Sequence, residues 1–241
     1  MKFQTRAIVG GFAWLLVGLS AVAMPQERLL LEPTVSPKEA ALLAEAAAST
    51  NLQAAIAMLQ TKALPKASAA LDFAIGNFQF QAEAFEAAAQ SYRDAVEKLP
   101  TFRNARKNLG RVYLMMEQDA EAIRVYQALV EDGIADADSL LLLGHGLIRQ
   151  EHYVSAENAY RQVLLMAPHN ADAQQGLVNC LLQQERHREA RSLLKTILSA
   201  TPQRAELWAL LANVNVALDA SESAISALET AQRLGCCRPD M

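Results

Sequence analysis

Four histidines carry the side chains best suited to catalysis or metal binding, and their spacing limits what they can do. His145, His152, His169 and His187 form no His-Glu-x-x-His pattern, and none has a second His or Cys spaced to build a zinc site. The sequence also has no Gly-rich phosphate loop, no Gly-x-Ser-x-Gly elbow and no Cys/His couple that spacing favours. It therefore predicts no catalytic residue, no metal site and no cofactor; an enzyme remains the remote alternative.

The three cysteines are Cys180, Cys236 and Cys237, an odd number that builds no disulfide framework. Cys180 falls at an apolar helical position and is expected to be a small buried side chain. Cys236 and Cys237 are adjacent near the C-terminus, where a vicinal disulfide, an intermolecular link or two exposed thiols are open alternatives. A frayed tail without function is the favoured interpretation.

The acidic run Glu131–Asp138 is the one segment whose carboxylates suggest calcium. It lacks the Asp-x-Asp-x-Asp-Gly order of a calcium loop. We expect its aspartates to cap a helix and Gly133 to end the preceding one.

Composition and charge narrow the class of protein. The chain has 241 residues, of which 52% are hydrophobic, 20% charged and 6% aromatic, with few Gly and Pro. This composition favours an ordered, all-α protein. The net charge of -4, without clustered Lys and Arg, argues against a nucleic-acid partner.

The N-terminus has the pattern of an export signal. Two cations, Lys2 and Arg6, precede the uncharged run Ala7–Ala23, which ends in Ala21-Val22-Ala23. We predict a signal peptide over 1–23, cleaved after Ala23, followed by a linker over 24–34. The mature protein would be periplasmic or secreted, with a net charge of -6 and no membrane insertion. The alternative is an N-terminal anchor in the inner membrane.

A 34-residue repeat organises the rest of the chain. Alanines recur at this interval: Ala88, Ala122, Ala156, Ala190 and Ala224. The same register contains glycines (Gly76, Gly110, Gly144), tyrosines (Tyr92, Tyr126, Tyr160) and prolines (Pro100, Pro168, Pro202).

These residues and their spacing resemble the tetratricopeptide repeat family, whose pattern is Trp-x2-Leu-Gly-x2-Tyr, then Ala-x3-Phe, then Pro. The resemblance implies a right-handed, all-α solenoid of stacked antiparallel helix pairs. Five repeats are predicted: 69–102, 103–136, 137–170, 171–204 and 205–238, followed by a tail over 239–241. Small residues at the eighth and twentieth positions let the helices approach closely, the bulky twenty-fourth residue fills the space between repeats, and Pro ends the second helix.

Residues 35–68 read as a degenerate helix pair that caps the N-terminal end. Ser36, Pro37 and Glu39 predict an N-cap, a first-turn proline and a carboxylate at the positive helix end. The first helix should run to about Ala48, and the second from Leu52 to about Ala63.

The resemblance also implies a groove lined by the second, fifth, ninth, twelfth and thirteenth residues of each repeat. The predicted groove residues are Phe73, Asn77, Phe80, Asn104, Lys107, Arg111, His145, Arg149, Asn179 and Asn213. Asn at the ninth position in three repeats can donate to and accept from a peptide backbone. Lys107 and Arg111 would bind a carboxylate or form a solvated basic face, and Phe73 and Phe80 are equally compatible with the core.

Some family members bind a C-terminal carboxylate through a Lys-x-x-x-Asn pair in the first repeat. Here the corresponding residues are Phe73 and Asn77, so that clamp is not expected. The sequence predicts an adaptor of the cell envelope that binds a partner polypeptide. Envelope assembly and TonB-linked transport are two processes that such an adaptor could support. A self-assembling module, driven by uncovered Leu228, Ala231 and Leu234, is the alternative.

Overall fold

The computed structural model describes residues 32–61 and 67–236, which form twelve α-helices and no strand. In chain order the helices are α1 Pro37–Ala47, α2 Leu52–Thr61, α3 Ala69–Gln81, α4 Phe85–Lys98, α5 Arg103–Met115, α6 Asp119–Glu131, α7 Ala137–Arg149, α8 Tyr153–Met166, α9 Ala171–Gln183, α10 His187–Ala200, α11 Ala205–Ala217 and α12 Ser221–Arg233. Consecutive helices pack as pairs, so the prediction of an all-α solenoid is confirmed.

Several predictions concern other parts of the chain. The signal peptide over 1–23, linker residues 24–31, the end of the second helix near Pro65, and residues 237–241 lie outside the described residues. None of the described helices combines the length and the apolar character that crossing a bilayer requires.

The first helix begins with the predicted cap. The Glu39 backbone N–H donates to Ser36 Oγ (3.3 Å), and the Ser36 backbone N–H donates to Glu39 Oε2 (3.0 Å). This reciprocal pair is a capping box. Glu39 Oε1 also accepts from the backbone N–H of Ser68 at 2.7 Å, so one carboxylate fixes the start of α1 and the entry to α3.

The repeated alanines occupy equivalent buried positions on the second helices. Ala88, Ala122, Ala156 and Ala190 have no exposed surface, and Ala224 is 7% exposed. A larger side chain at these positions would force the paired helices apart.

The glycine at the eighth position of the first three repeats leaves space for a tyrosine ring. A Cβ atom on Gly76 would lie 2.7 Å from Tyr92 Cε1, and one on Gly110 would lie 2.6 Å from Tyr126 Cζ. The last two repeats have no glycine there and pair a larger eighth residue with leucine: Val178 with Leu194, and Ala212 with Leu228. A repeat with glycine at the eighth position thus has tyrosine at the twenty-fourth, and a repeat with a larger eighth residue has leucine there.

The junction between the second and third repeats follows the predicted chemistry. Gly133 has φ +69°, and the N–H groups of Gly133 and Ile134 donate to the carbonyls of Val130 and Leu129, which end α6. Asp136 then caps α7 by accepting from the Ser139 N–H at 2.8 Å. Both predictions, Gly133 as terminator and aspartate as cap, are confirmed.

The turn inside each repeat contains a carboxylate residue with left-handed backbone. These residues are Glu83, Glu117, Glu151, Glu185 and Asp219, with φ between 55° and 58°. Glycine is the residue that adopts this conformation without steric cost.

The core runs along the repeats, and the C-terminal end is only partly covered. Cys180 is fully buried as predicted, and burial raises the pKa of its thiol to about 11. On α12, Leu228 and Leu234 are each 43% exposed, but Ala231 is fully buried. The prediction that Ala231 would be uncovered is wrong, because α12 packs on α11 and the Ala231 side chain has no exposed surface.

Candidate functional site

The first helices of successive repeats line one face of the solenoid. Besides packing on their partners, α5 contacts α7 and α7 contacts α9. Such contacts draw the first helices together and make their shared face concave. This groove contains two large depressions.

The larger depression, the central pocket, encloses about 710 Å³ between α7, α9 and α11. Its walls are formed by His145, Ile148, Arg149, Tyr160, Asp172, Gln175, Gly176, Asn179, Leu182 and Leu210. Three of the predicted groove residues, His145, Arg149 and Asn179, therefore share one pocket. Its volume lies within the range of ligand-binding pockets.

The hydroxyl of Tyr160 distinguishes the central pocket from the neighbouring repeats. The Tyr92 hydroxyl donates to Asn77 Oδ1 at 2.8 Å, and the Tyr126 hydroxyl donates to the Lys107 carbonyl at 3.1 Å. The Tyr160 side chain is fully buried, yet its hydroxyl has no hydrogen-bond partner within the described part of the chain.

The two amide side chains that surround the Tyr92 hydroxyl have no equivalents at Tyr160. Asn108, the sixth residue of its repeat, points its amide at the Tyr92 hydroxyl (3.5 Å). The corresponding residue for Tyr160 is Gly176, and the ninth residue of its own repeat is His145 in place of Asn77, so neither amide found around Tyr92 is present. Sequence reasoning missed Tyr160, Asp172 and Gly176 as pocket residues, and the sixth positions do not reveal them, because Tyr126 is hydrogen-bonded although Leu142 follows it at that position.

Burial determines the protonation states of His145 and Tyr160 in the pocket. Desolvation lowers the pKa of His145, opposed by the charge of Asp172, so the imidazole is neutral at pH 7 although part of its ring is exposed. Desolvation raises the pKa of Tyr160, so the phenol stays protonated. Within residues 32–61 and 67–236, no three His, Cys, Asp or Glu side chains come close enough to hold a metal ion.

The second depression, the N-terminal pocket, encloses about 620 Å³ and is lined mainly by apolar residues of α1, α3 and the segment before α1. Phe73 and Asn77 contribute to its wall, but both also pack internally. The Phe73 ring lies 4.9 Å from the Phe102 ring, between centroids, and Asn77 Oδ1 accepts from Asn108 Nδ2 at 3.0 Å. The Asn77 oxygen is thus already bonded, and Phe73 belongs partly to the core.

Two other predicted groove residues lie near this end. Phe80 packs its ring on Phe85, with centroids 5.7 Å apart, and borders a small depression of about 210 Å³ beside Arg111. Asn104 donates its amide to Glu32 Oε1 at 2.6 Å. The chain segment that precedes α1 therefore touches a predicted groove residue.

Of the three predicted groove cations, Lys107 and Arg149 form ion pairs within the protein. Lys107 Nζ lies 3.0 Å from Asp136 Oδ2 and 3.3 Å from Asp138 Oδ2, and its side chain is 15% exposed. It joins the second repeat to the third, which differs from both sequence interpretations, a carboxylate site and a solvated face. Arg111 is exposed and forms no ion pair with any described residue.

Arg149 and the two remaining asparagines complete the predicted set. Arg149 Nε lies 3.1 Å from Asp119 Oδ2, and its Nη1 donates to the Leu114 carbonyl at 3.1 Å. Asn179 is half-buried in the central pocket, and Asn213 is exposed on α11. The structure thus groups His145, Arg149 and Asn179, and leaves Asn213 and Arg111 outside that pocket.

Comparison with known proteins assigns the class. Two family models, both described as tetratricopeptide repeat, match residues 73–139 and 147–214. The chain belongs to the tetratricopeptide repeat family. None of the curated proteins matches its sequence.

Solved structures share the fold at low sequence identity. The MamA protein of Desulfovibrio magneticus is 16% identical, covering 69% of this chain and 94% of that one, with a TM-score of 0.64. YrrB, described as a repeat protein with an unusual peptide-binding site, is 20% identical over 78% of this chain and 93% of its own, with a TM-score of 0.63. A repeat protein from Parabacteroides merdae is 17% identical over 80% and 78%, with a TM-score of 0.65.

Proposed function

We propose that this protein is a non-catalytic adaptor that binds an extended segment of a partner polypeptide in its concave groove. The observation that carries the proposal is the central pocket, where three successive first helices present amide, imidazole and apolar side chains around about 710 Å³. A preformed groove on rigid helices binds without paying for its own ordering. The peptide-binding site in the description of YrrB, which shares the fold, supports this use.

The groove chemistry suits a peptide backbone. Asn179 makes no hydrogen bond to any described residue, so its amide can donate to and accept from one peptide unit. Gln175, exposed one helical turn earlier on the same face, offers a second amide. Ile148, Leu182 and Leu210 supply apolar contact between these polar groups.

Peptide selection tests this function. Random decapeptides displayed on their own mRNA would be panned against the full chain, and the enriched peptides measured by fluorescence anisotropy. We expect Asn179→Ala combined with Asn213→Ala to weaken binding about tenfold or more, because each lost peptide hydrogen bond contributes about 0.5–1.5 kcal/mol.

A matched control is available on the second helices. Gln127 of α6 and Gln162 of α8 are exposed amides outside the groove, and Gln127→Ala with Gln162→Ala should leave binding unchanged. Equal losses in the two double variants, or no enrichment on the wild-type chain, would reject the proposal.

We further propose that the protein works in the cell envelope after removal of residues 1–23. The support is the charged start, apolar run and Ala21-Val22-Ala23 of the sequence. Fractionation followed by N-terminal sequencing should find the protein outside the cytoplasm beginning at Met24. A start at Met1 would contradict cleavage, and cytoplasmic recovery would contradict export.

A self-assembling module is the second candidate, favoured by the apolar surface of α12. Ile225 is 59% exposed, and Leu228, whose equivalents in earlier repeats are fully buried, is 43% exposed. Sedimentation at two concentrations distinguishes the candidates: a monomer throughout would remove the assembly role, and Leu228→Glu should dissociate any dimer formed through α12.

A further inference from the structure

The buried hydroxyl of Tyr160 is a polar group for which the fold supplies no partner. The equivalent phenols of Tyr92 and Tyr126 both have hydrogen bonds, so the fold can satisfy this position. Tyr160 lines the central pocket, but His145 stands where the first repeat has Asn77, and the buried Tyr160 hydroxyl has no partner among the described residues. A buried hydroxyl without a partner is costly, and a bound group that reaches it removes that cost.

The charges around the central pocket do not cancel. Arg149 is matched by Asp119, with 3.1 Å between Nε and Oδ2. The imidazole of His145 is neutral because desolvation lowers its pKa. Asp172, in the first turn of α9, has neither a hydrogen bond nor an ion pair to any described residue. The pocket therefore has one uncompensated charge, and it is negative.

Four groups of the pocket that have no hydrogen bond to a described residue can accept one. They are the Asp172 carboxylate, the Tyr160 hydroxyl oxygen and the side-chain oxygens of Gln175 and Asn179. Asp172 lies close enough for its charge to act on both His145 and Tyr160, so these acceptors share one site. Ile148, Leu182 and Leu210 form an apolar wall along which an aliphatic chain can lie.

We propose that the central pocket is a subsite for one basic side chain, Lys or Arg, of the polypeptide held in the groove. The inference rests on the proposed groove function and names the side chain that function selects. The alkyl stem packs on Ile148 and Leu182, and the cationic head donates to Asp172 and to the Tyr160 hydroxyl. An acidic side chain would face Asp172, and a purely aliphatic one would leave the Tyr160 hydroxyl and Asp172 unpaired.

The test uses the peptides enriched on the wild-type chain. We expect one fixed position to be Lys or Arg. The probe is the consensus peptide, synthesised with Lys, norleucine or Glu at that position, and its affinity is measured by fluorescence anisotropy. Norleucine has the stem of lysine without its charge, and should bind about tenfold more weakly than Lys.

Variants of the pocket assign the effect to its residues. Asp172→Asn should weaken the Lys peptide about tenfold and leave the norleucine peptide unchanged, whereas Asp172→Lys should reverse the preference to Glu. Tyr160→Phe should weaken the Lys peptide about threefold to tenfold. Glu222→Gln, which neutralises an exposed carboxylate in the first turn of α12, is the matched control and should change neither affinity.

The two proposals fail in different ways. Enrichment that depends on Asn179 and Asn213 but shows no basic position, or equal losses for Lys and norleucine peptides on Asp172→Asn, would overturn the basic subsite and leave groove binding in place. No enrichment on the wild-type chain would overturn both.

Discussion

The ring of Tyr160 fills the space that a side chain on Gly144 would need. A Cβ atom on Gly144 would lie 2.6 Å from Tyr160 Cε1, closer than non-bonded carbon atoms approach. The chain itself shows the alternative, since its fourth repeat combines Val178 at the eighth position with Leu194 at the twenty-fourth. The two positions therefore act as one packing unit.

Substitutions at this pair should be strongly coupled. We expect Gly144→Ala to lower the free energy of unfolding by about 1–3 kcal/mol through overpacking, although alanine favours helix over glycine. In a Tyr160→Leu background the same change should cost much less, giving a coupling energy of about 1 kcal/mol or more. Urea unfolding of the four proteins measures the cycle; additive effects would show that ring and glycine do not compete for space.

Removal of the hydroxyl group should have different effects on the free energy of unfolding at Tyr126 and at Tyr160. Tyr126→Phe removes a hydrogen bond to the Lys107 carbonyl and should lower the free energy of unfolding by about 1 kcal/mol. Tyr160→Phe removes a buried hydroxyl without a partner and should be neutral or stabilising by up to about 1 kcal/mol. Thermal and urea unfolding of both variants check this; a loss of equal size at Tyr160 would mean that its hydroxyl is satisfied.

The sequence was sufficient for the features that depend on local chemistry or on the repeat register. Ser36 and Glu39 form their capping box because both partners lie within four residues, and Gly133 ends α6 because a left-handed residue there is a property of the backbone. The repeated alanines are buried because a 34-residue period places each in the same environment.

Side-chain contacts between repeats could not be predicted from the repeat register. Lys107 finds Asp136 and Asp138 about 30 residues later, in a different repeat, so its position within its own repeat did not reveal its partners. The Tyr92 hydroxyl lies 3.5 Å from the amide of Asn108 in the next repeat, whereas the Tyr160 hydroxyl has no partner among the described residues. The predicted groove residues lie on first helices, but their side-chain partners depend on geometry that the repeat period does not specify.

The two neighbouring groove cations, Lys107 and Arg111, should contribute differently to the free energy of unfolding. Lys107→Ala removes ion pairs to Asp136 and Asp138 from a largely buried position, and should lower the free energy of unfolding by about 1–3 kcal/mol. Arg111→Ala, at an exposed residue without an ion pair to the described chain, should stay within about 0.5 kcal/mol. Urea unfolding distinguishes them; equal destabilisation would contradict the bridging role of Lys107.

The left-handed turn residues should be sites of stabilisation. Glu151 has φ +58°, a conformation that costs a residue with a Cβ about 1–2 kcal/mol, so Glu151→Gly should gain about 0.5–1 kcal/mol after the added flexibility of the unfolded chain is subtracted. Gln150, its neighbour, has φ -94°, and Gln150→Gly should lose a similar amount. Thermal denaturation of the two variants should move in opposite directions, and a shared direction would show that backbone strain at residue 151 is negligible.

Glu39 makes the stability of the N-terminal helix pair depend on pH. The hydrogen bond from the Ser68 backbone N–H, and then those from Ser36, lower the pKa of Glu39 from 4.5 to about 2. Because the folded pKa lies below the unfolded one, the stabilisation is complete above about pH 4.5 and is lost as the pH falls towards 2. Glu39→Gln should therefore lower the free energy of unfolding by about 1–2 kcal/mol at pH 7, and the difference from wild type should shrink between pH 5 and pH 3.

Glu86, an exposed carboxylate in the first turn of α4 where no side chain caps the helix, provides the control for this experiment. Glu86→Gln keeps the same chemistry of substitution and the same position near a helix N-terminus, but removes no capping box, so its effect at pH 7 should be a few tenths of a kcal/mol. A Glu39→Gln penalty that stays constant from pH 7 to pH 3, or that equals the Glu86→Gln penalty, would mean that the bonds from Ser36 and Ser68 do not stabilise the charged carboxylate. A penalty that disappears on acidification would identify Glu39 as the group that fastens α1 to the start of α3.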